Sequence, residues 1–219
     1  MKGPSILINL LLVGSLIISA FGGGINGQEG NTYKTVKIGN QKWMAENLNE
    51  CTFRNGDPIP EIKTEEWVKA DHEGKPAWCY CNNETANGKK YGKLYNWYAV
   101  NDPRGLAPKG WHIPSDKEWI KLTDFLGGEG GAGKKLKSTS GWKEKGNGTN
   151  ETGFSAFPGG GRFINGTFNG AGSYGYWWSA TELNSSEAWY ITMVFGGGYV
   201  TRPIFNKGVM FAVRCLRID

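Results

Sequence analysis

The segment from Gly110 to Leu122 constrains the fold of this chain more than any other, because it predicts a helix with both ends marked. Ser115 stands at an N-cap position, and Glu118 three residues later completes a capping box. The apolar residues that follow recur at helical spacing, as Trp119, Leu122 and Leu126. A glycine pair then ends the helix. A helix with one apolar face has to pack on a sheet, so the sequence predicts a mixed architecture.

The N-terminus predicts a secretory signal peptide over residues 1–22. Lys2 precedes an apolar run from Ile6 to Ile18, and small residues follow that run. The run is too short to span a bilayer as a helix, and no stop-transfer segment follows it. We therefore expect a flexible leader at residues 23–31 and one domain at residues 32–219. We also expect no membrane span in the mature chain, which would reside in the periplasm, at the cell surface or outside the cell.

The four cysteines can form disulfides if the chain is exported. Cys79 and Cys81 are too close to favour pairing with each other, so we expect one of them to pair with Cys51. Cys215 lies in an apolar strand and is interpreted as a small buried side chain. Because no second cysteine pair or histidine cluster completes a tetrahedral site, we expect no metal, and we expect no cofactor.

Composition indicates the kind of core and excludes one class of partner. Thirty-four glycines and ten tryptophans predict a turn-rich fold around a heavy aromatic core. The net charge of +5 is scattered, and its densest group is small: Lys134, Lys135 and Lys137. We therefore expect a solvated surface there and no binding of nucleic acid.

Several segments, in order and over nearly the whole mature chain, resemble the Fibrobacter succinogenes major paralogous domain family. They are Lys42–Leu48, Gly92–Val100, Gly110–Ser115, Gly153–Gly160, Tyr176–Thr181 and Gly208–Leu216. The resemblance implies export but no settled activity, and its helix and closing aromatic strands look like the C-type lectin-like fold. It therefore implies an α+β class: a single C-type lectin-like domain with short antiparallel strands, one or two helices and long Gly-rich loops.

The resemblance also implies two spatial relationships. The strand Tyr33–Ile38 should lie beside the segment Val209–Leu216, and the loops 127–152 and 196–206 should cluster as a ligand-facing surface. Many members carry a cysteine just before the Pro-x-Gly-Trp-His motif, where this chain has Ala107. That departure removes an obvious partner for Cys215.

The sequence offers few groups for catalysis. The two histidines, His72 and His112, complete no nucleophile arrangement, and the loop motifs of calcium-dependent lectins do not occur. A carboxylate pair made of Glu118 or Glu151 with Asp124 would suit an enzyme that acts on an extracellular polysaccharide. Glu118 already has a capping role, so this alternative is the weaker one. A structural envelope protein is a further alternative, which the sequence does not separate from a binding module.

Neighbouring aromatic residues favour a recognition surface. Tyr176, Trp177 and Trp178 are consecutive, and side chains on a strand alternate between its two faces. Either both faces are covered or at least one large ring is exposed to solvent. The leading hypothesis is an exported, non-enzymatic recognition module that binds an extracellular glycan or protein. Its candidate contacts are Trp177, Trp178, Trp189, Tyr199 and Arg202.

Overall fold

The structure, a computed structural model, describes residues 25–28, 30–63 and 66–218. The predicted signal peptide, residues 1–22, lies outside the described residues. The strands in chain order are β1 (Ile25–Asn26), β2 (Thr32–Tyr33), β3 (Thr35–Ile38), β4 (Gln41–Met44), β5 (Trp78–Tyr80), β6 (Lys93–Tyr95), β7 (Trp111–His112), β8 (Gly161–Arg162), β9 (Phe168–Asn169), β10 (Tyr174–Glu182), β11 (Glu187–Val194), β12 (Val200–Thr201), β13 (Ile204–Asn206), β14 (Phe211–Ala212) and β15 (Leu216–Arg217).

The larger sheet is built around the hairpin β10–β11. Its order is β12–β11–β10–β14–β6–β5, and β13 also pairs with β11. The pairs are antiparallel except for β10 and β14, which run parallel where Trp177 meets Ala212. Aromatic and β-branched residues dominate both strands of the central hairpin, as suits residues in a pleated sheet.

The smaller sheet joins the two ends of the domain in the order β3–β4–β15–β7. The hairpin β3–β4 turns at Gly39, whose φ of +58° is a conformation that glycine adopts without strain. Leu216 of β15 pairs with Trp43 on one side and His112 on the other. We expected the first strand of the hairpin beside the C-terminal segment. The second strand takes that place, and β3 forms the edge of the sheet.

The helices of the described residues are short, and two of them have eight or more residues. They are α1 (Glu66–His72), α2 (Gly88–Tyr91), α3 (Trp97–Val100), α4 (Asp116–Phe125) and α5 (Glu129–Leu136), with 3₁₀ turns at Cys81–Asn83 and Thr85–Asn87. The capping box of α4 is present as predicted. Helix α5 was not predicted, because its glycines favour a loop. Ala132 and Leu136, one turn apart, are buried, so packing outweighs the low helix propensity of glycine.

Two hydrophobic clusters lie on opposite faces of the larger sheet. In one, the rings of Trp43 and Trp119 lie 4.7 Å apart between centroids, and α4 brings Trp119 to the sheet. In the other, Trp178 and Tyr190 each lie 4.9 Å from Phe211. Residues from distant parts of the chain therefore cover both faces of the central hairpin.

The observed fold confirms the predicted α+β class, with mostly antiparallel strands and few helices. The likeness to C-type lectins stays a prediction. Part of the segment expected to be a flexible leader is paired, because β1 forms a ladder with β2. Across the described ranges, no helix has the length and apolar character needed to cross a membrane.

The expected disulfide is absent. None of Cys51, Cys79, Cys81 and Cys215 is bonded to another cysteine. The thiol of Cys79 instead lies 3.3 Å from the sulfur of Met210, and the thiol of Cys81 donates to the carbonyl of Gly159. Both side chains are buried among apolar neighbours, so they pack as small hydrophobic residues.

Candidate functional site

The two tryptophans expected to contact a ligand lie in the interior. Trp177 and Trp178 are both 0% exposed. The indole of Trp177 donates to Oδ1 of Asn47 at 2.9 Å on one face of β10. The indole of Trp178 donates to the carbonyl of Tyr95 at 2.8 Å on the other. Because both faces are covered, the structure corrects the expectation that these rings reach a ligand.

The other three predicted contacts lie nearer the surface. Trp189 is half-buried, and Tyr199 is 60% exposed. Arg202 forms ion pairs with Asp116 at 2.6 Å and with Glu129 at 2.8 Å. Its guanidinium thus ties the first turn of α4 to the first turn of α5. Of the five predicted contacts, only Tyr199 has most of its surface in solvent.

A tyrosine pair is the aromatic group that β10 does present to solvent. Tyr174 is 37% exposed, and its ring stacks on that of Tyr176 with centroids 5.6 Å apart and an angle of 8° between planes. Partial burial raises the pKa of the Tyr176 hydroxyl. The alternation along β10 therefore places tyrosines, and not tryptophans, at the surface.

The segments predicted to form the loop surface lie together, although part of the first is helix α5, and a ligand-facing role stays a prediction. The amide of Gly133 in α5 donates to the carbonyl of Gly198 at 2.8 Å. The buried ammonium of Lys137 donates to the carbonyls of Val194 and Gly197, at 3.1 and 2.7 Å. The two segments line an open cavity of about 340 Å³. Burial lowers the pKa of Lys137, whose charge these carbonyls stabilise.

A larger cavity lies elsewhere and takes the form of an open groove of about 1020 Å³. One wall is the β2–β3 segment, and the other is α2 with the turn before it. The segment that follows β4 and the loop 153–157 complete the groove. Its neutral polar lining consists of amides and hydroxyls, from Asn31, Thr32, Thr35, Asn47, Asn49 and Ser155.

The groove also contains a fully buried cation, Arg214, which is 1% exposed. Its Nε and Nη2 both donate to Oδ1 of Asn47, at 2.9 and 2.7 Å. Its Nη1 donates to the carbonyls of Met44 and Phe154, at 3.1 and 2.5 Å. Burial lowers the pKa of Arg214 to about 9, although the charge of Glu46 opposes this shift.

Two glycines let the walls of the groove approach each other. Gly92 has a φ of +69°, and a Cβ there would lie 2.6 Å from the carbonyl oxygen of Leu48. Gly153 has a φ of +72°, and a Cβ there would lie 2.9 Å from Cγ1 of Val36. Any other residue at these positions would meet both backbone strain and a steric clash.

The rim of the groove is cationic. Lys34 lies on one wall, and Lys89 and Lys90 lie on the other; all three side chains are exposed. Among the described residues, no carboxylate oxygen lies within 4.0 Å of these ammonium groups. The groove has one acidic residue, Glu46, and its carboxylate accepts a hydrogen bond from the backbone amide of Lys34 at 2.9 Å.

Two of the three carboxylates considered for catalysis, Glu118 and Glu151, have other partners, and Asp124 is an exposed residue near the end of α4. One oxygen of Glu118 lies 2.8 Å from Nε2 of His112, and the other accepts from the amide and hydroxyl of Ser115. Burial alone would raise the pKa of Glu118, but these hydrogen bonds outweigh it and hold the pKa below its usual range. Glu151 lies 3.7 Å from the ammonium of Lys135 at the surface. Glu118 therefore caps the N-terminus of α4 together with Ser115.

Within the described parts of the chain, no group of three or more His, Cys, Asp or Glu side chains could hold a metal ion.

The groove was not predicted from the sequence. Its lining comes from five separate stretches, near residues 31–36, 45–49, 86–92, 153–157 and 214. No local motif marks them, so only the tertiary structure brings them together.

Comparison with known proteins gives one match. The profile of the Fibrobacter succinogenes major domain matches residues 36–217, which include every strand from β4 to β15 and all five helices. Searches of curated proteins and of solved structures give no significant match. Since the match covers most of the length of the chain, the chain belongs to the Fibrobacter succinogenes major domain family.

Proposed function

We propose that this protein is an exported, non-enzymatic recognition module that binds a glycan or protein. The open groove of about 1020 Å³ carries this proposal. Pockets for small ligands span roughly 300–1,000 Å³, so the groove is large enough for several linked sugar units or a peptide. The amides and hydroxyls along its walls can donate and accept the hydrogen bonds that either ligand requires.

The contacts of the candidate catalytic carboxylates favour binding over hydrolysis. Both oxygens of Glu118 are held by Ser115 and His112, and the pKa of this carboxyl is depressed. A general acid for glycoside hydrolysis needs a raised pKa, so Glu118 is poorly suited to that role. None of Glu118, Glu151 and Asp124 lines the groove.

The test is to measure binding by the mature chain on a glycan array and on immobilised envelope proteins, with one variant that blocks the groove. Ala86 is exposed and lines the groove, so Ala86→Trp should occlude it. Thr139 is exposed and lies outside it, so Thr139→Trp is the matched control. We expect the affinity of Ala86→Trp to fall at least about tenfold, which corresponds to a loss of roughly 1.4 kcal/mol of binding free energy. The control should bind like wild type.

Two results would overturn the proposal. One is that the folded wild type binds no glycan and no envelope protein. The other is equal binding by wild type and Ala86→Trp, which would place the ligand outside the groove. Export is tested separately by cell fractionation, because a chain found only in the cytoplasm would contradict it.

A further inference from the structure

The charges of the groove point to the chemistry of its ligand. Four cationic side chains line it, Lys34, Lys89, Lys90 and Arg214, against one acidic side chain, Glu46. The cations stand on both walls and on the interior side, so a ligand lying along the groove would meet positive charge from several directions. Such an arrangement favours a ligand with repeated negative charges.

Arg214 adds a second observation, because it is a buried cation without a counter-ion in contact. Its four recorded hydrogen bonds all end on neutral oxygens, those of Asn47, Met44 and Phe154. A guanidinium has five N–H donors, so one hydrogen on Nη2 has no acceptor among the described residues. An anionic ligand in the groove would offset the cost of this buried charge.

The neutral lining distinguishes an acidic glycan from an acidic peptide. Asn31, Asn49, Thr32 and Ser155 offer short amides and hydroxyls, which match the closely spaced hydroxyls of sugar rings. A peptide bound as an extended strand needs apolar pockets for alternate side chains, and the aliphatic side chains of the lining, Val36, Ala45 and Ala86, are small. The lining has one phenylalanine, Phe157, which is half-buried. The ammonium of Lys90 lies 5.5 Å from the centroid of its ring.

We propose that the groove binds acidic glycans, whose sugar rings carry carboxylate or sulfate groups. The lysines on the two walls contact these groups, and the amides and hydroxyls between them contact the sugar hydroxyls. This inference rests on the proposed function, since it names the ligand class of the same groove. It also predicts that affinity falls as salt concentration rises, because the contacts are ionic.

The experiment uses pairs of ligands that share one sugar backbone and differ in whether its acidic groups are present. Oligogalacturonate is compared with its methyl-esterified form, and a sulfated glycan with its desulfated form, by isothermal titration calorimetry. We expect the acidic member of at least one pair to bind at least about tenfold more tightly. The double variant Lys89→Gln/Lys90→Gln should lose most of that preference. Lys117→Gln/Lys121→Gln, which removes the same charge from the exposed side of α4, should keep it.

The outcomes separate this inference from the proposed function. Equal binding of the charged and neutral members, lost in Ala86→Trp, would uphold the groove as a binding site and overturn its preference for acidic glycans. If the two double variants lost equal amounts of the preference for the acidic ligand, that preference would depend on the net charge of the protein. This result would also overturn the inference. Binding of polyglutamate but of no acidic glycan would assign the groove to acidic peptides instead. Absence of all binding would overturn the proposed function itself.

Discussion

Asn47 accepts three hydrogen bonds on a single oxygen, two of them from Arg214. The third comes from the indole of Trp177, and the amide nitrogen of Asn47 donates to the carbonyl of Tyr91 at 2.8 Å. One buried amide therefore joins the segment after β4 to β10, to α2 and to the C-terminal segment. It places the buried cation beside the groove and links the groove to the core.

We predict that Asn47→Ala lowers the free energy of unfolding by about 3 kcal/mol, because it leaves a buried guanidinium and a buried indole without their acceptor. Asn47→Asp keeps an acceptor oxygen and should lose less. Urea denaturation of the two variants measures this. Asn101→Ala, at an exposed residue after α3, is the control and should change stability by less than about 0.5 kcal/mol. A loss that small in Asn47→Ala would contradict the role given to this amide.

Burial of the two neighbouring tryptophans makes a second prediction. Trp177→Ala and Trp178→Ala should each cost about 3–5 kcal/mol of stability, as expected for a large aromatic ring removed from a core. Tyr199→Ala should cost less than about 0.5 kcal/mol, because its ring is mostly in solvent. Chemical denaturation checks all three. If a tryptophan variant were as stable as wild type, that ring would not be buried as described.

Local signals in the sequence were enough to predict α4, and the hairpin β3–β4 is equally local. The capping box of α4 and the turn at Gly39 each lie within a few residues, so no distant contact is needed to form them. The stretch from Gly92 to Val100 forms a strand followed by a helix. The break falls at Asn96, whose Oδ1 accepts from the amides of both Ala99 and Ala77. The second bond is a tertiary contact that no local pattern contains.

Contacts between distant segments decided what the sequence did not predict. The alternation along β10 correctly sends Trp177 and Trp178 to opposite faces. It does not say that α4 covers one face, or that Tyr95 and Phe211 of neighbouring strands pack beside Trp178 on the other. The loop cluster was predicted from the resemblance, whereas the groove and its buried Arg214 were not. The groove depends on segments more than a hundred residues apart, so its geometry follows only from the folded chain.

The capping carboxylate makes stability depend on pH. The pKa of Glu118 is depressed below its ordinary value of 4.5, so its stabilising effect is present above that pH and is lost as pH falls. Glu118→Gln keeps a side chain that can cap the helix but removes the charge. We predict that wild type exceeds this variant in stability at neutral pH, and that the difference shrinks as pH falls below 4.5. Glu118→Ala should cost about 1 kcal/mol more, since the Glu118 half of the capping box is lost while Ser115 remains.

Denaturant melts across the pH range measure this effect. Glu151→Gln is the control, because its carboxylate is exposed and lies 3.7 Å from Lys135. Exposed ion pairs contribute at most about 1 kcal/mol, so its difference from wild type should stay small throughout. A Glu118→Gln difference that grows as pH falls would have the wrong sign for a depressed pKa.

The state of the cysteines is open to direct measurement. Burial raises the pKa of Cys79 to about 12 and of Cys81 to about 11, so few thiolates are present at neutral pH. We predict slow reaction of these two thiols with Ellman's reagent in the native protein. After unfolding without reductant, all four thiols should react. Recovery of only two would show that a disulfide forms and would restore the original expectation for Cys51.

Two glycines of α5 give the sharpest test of how the loops pack. A Cβ on Gly133 would lie 2.6 Å from the carbonyl oxygen of Gly198 and 2.8 Å from that of Tyr199. Both obstacles are backbone atoms, so the loop that follows β11 would have to move. A Cβ on Gly131, in the same helix, would meet nothing within 4 Å.

Alanine exceeds glycine in helix propensity by about 1 kcal/mol, so Gly131→Ala should stabilise the protein by up to that amount. The same substitution at Gly133 gains the same propensity but breaks the contact between α5 and the loop. We predict that Gly133→Ala destabilises the protein by about 1–3 kcal/mol, as expected for overpacking a close approach. Thermal and urea melts of the two variants decide the matter. If both were stabilising, the loop would not lie against α5, and the cavity between them would not exist in solution.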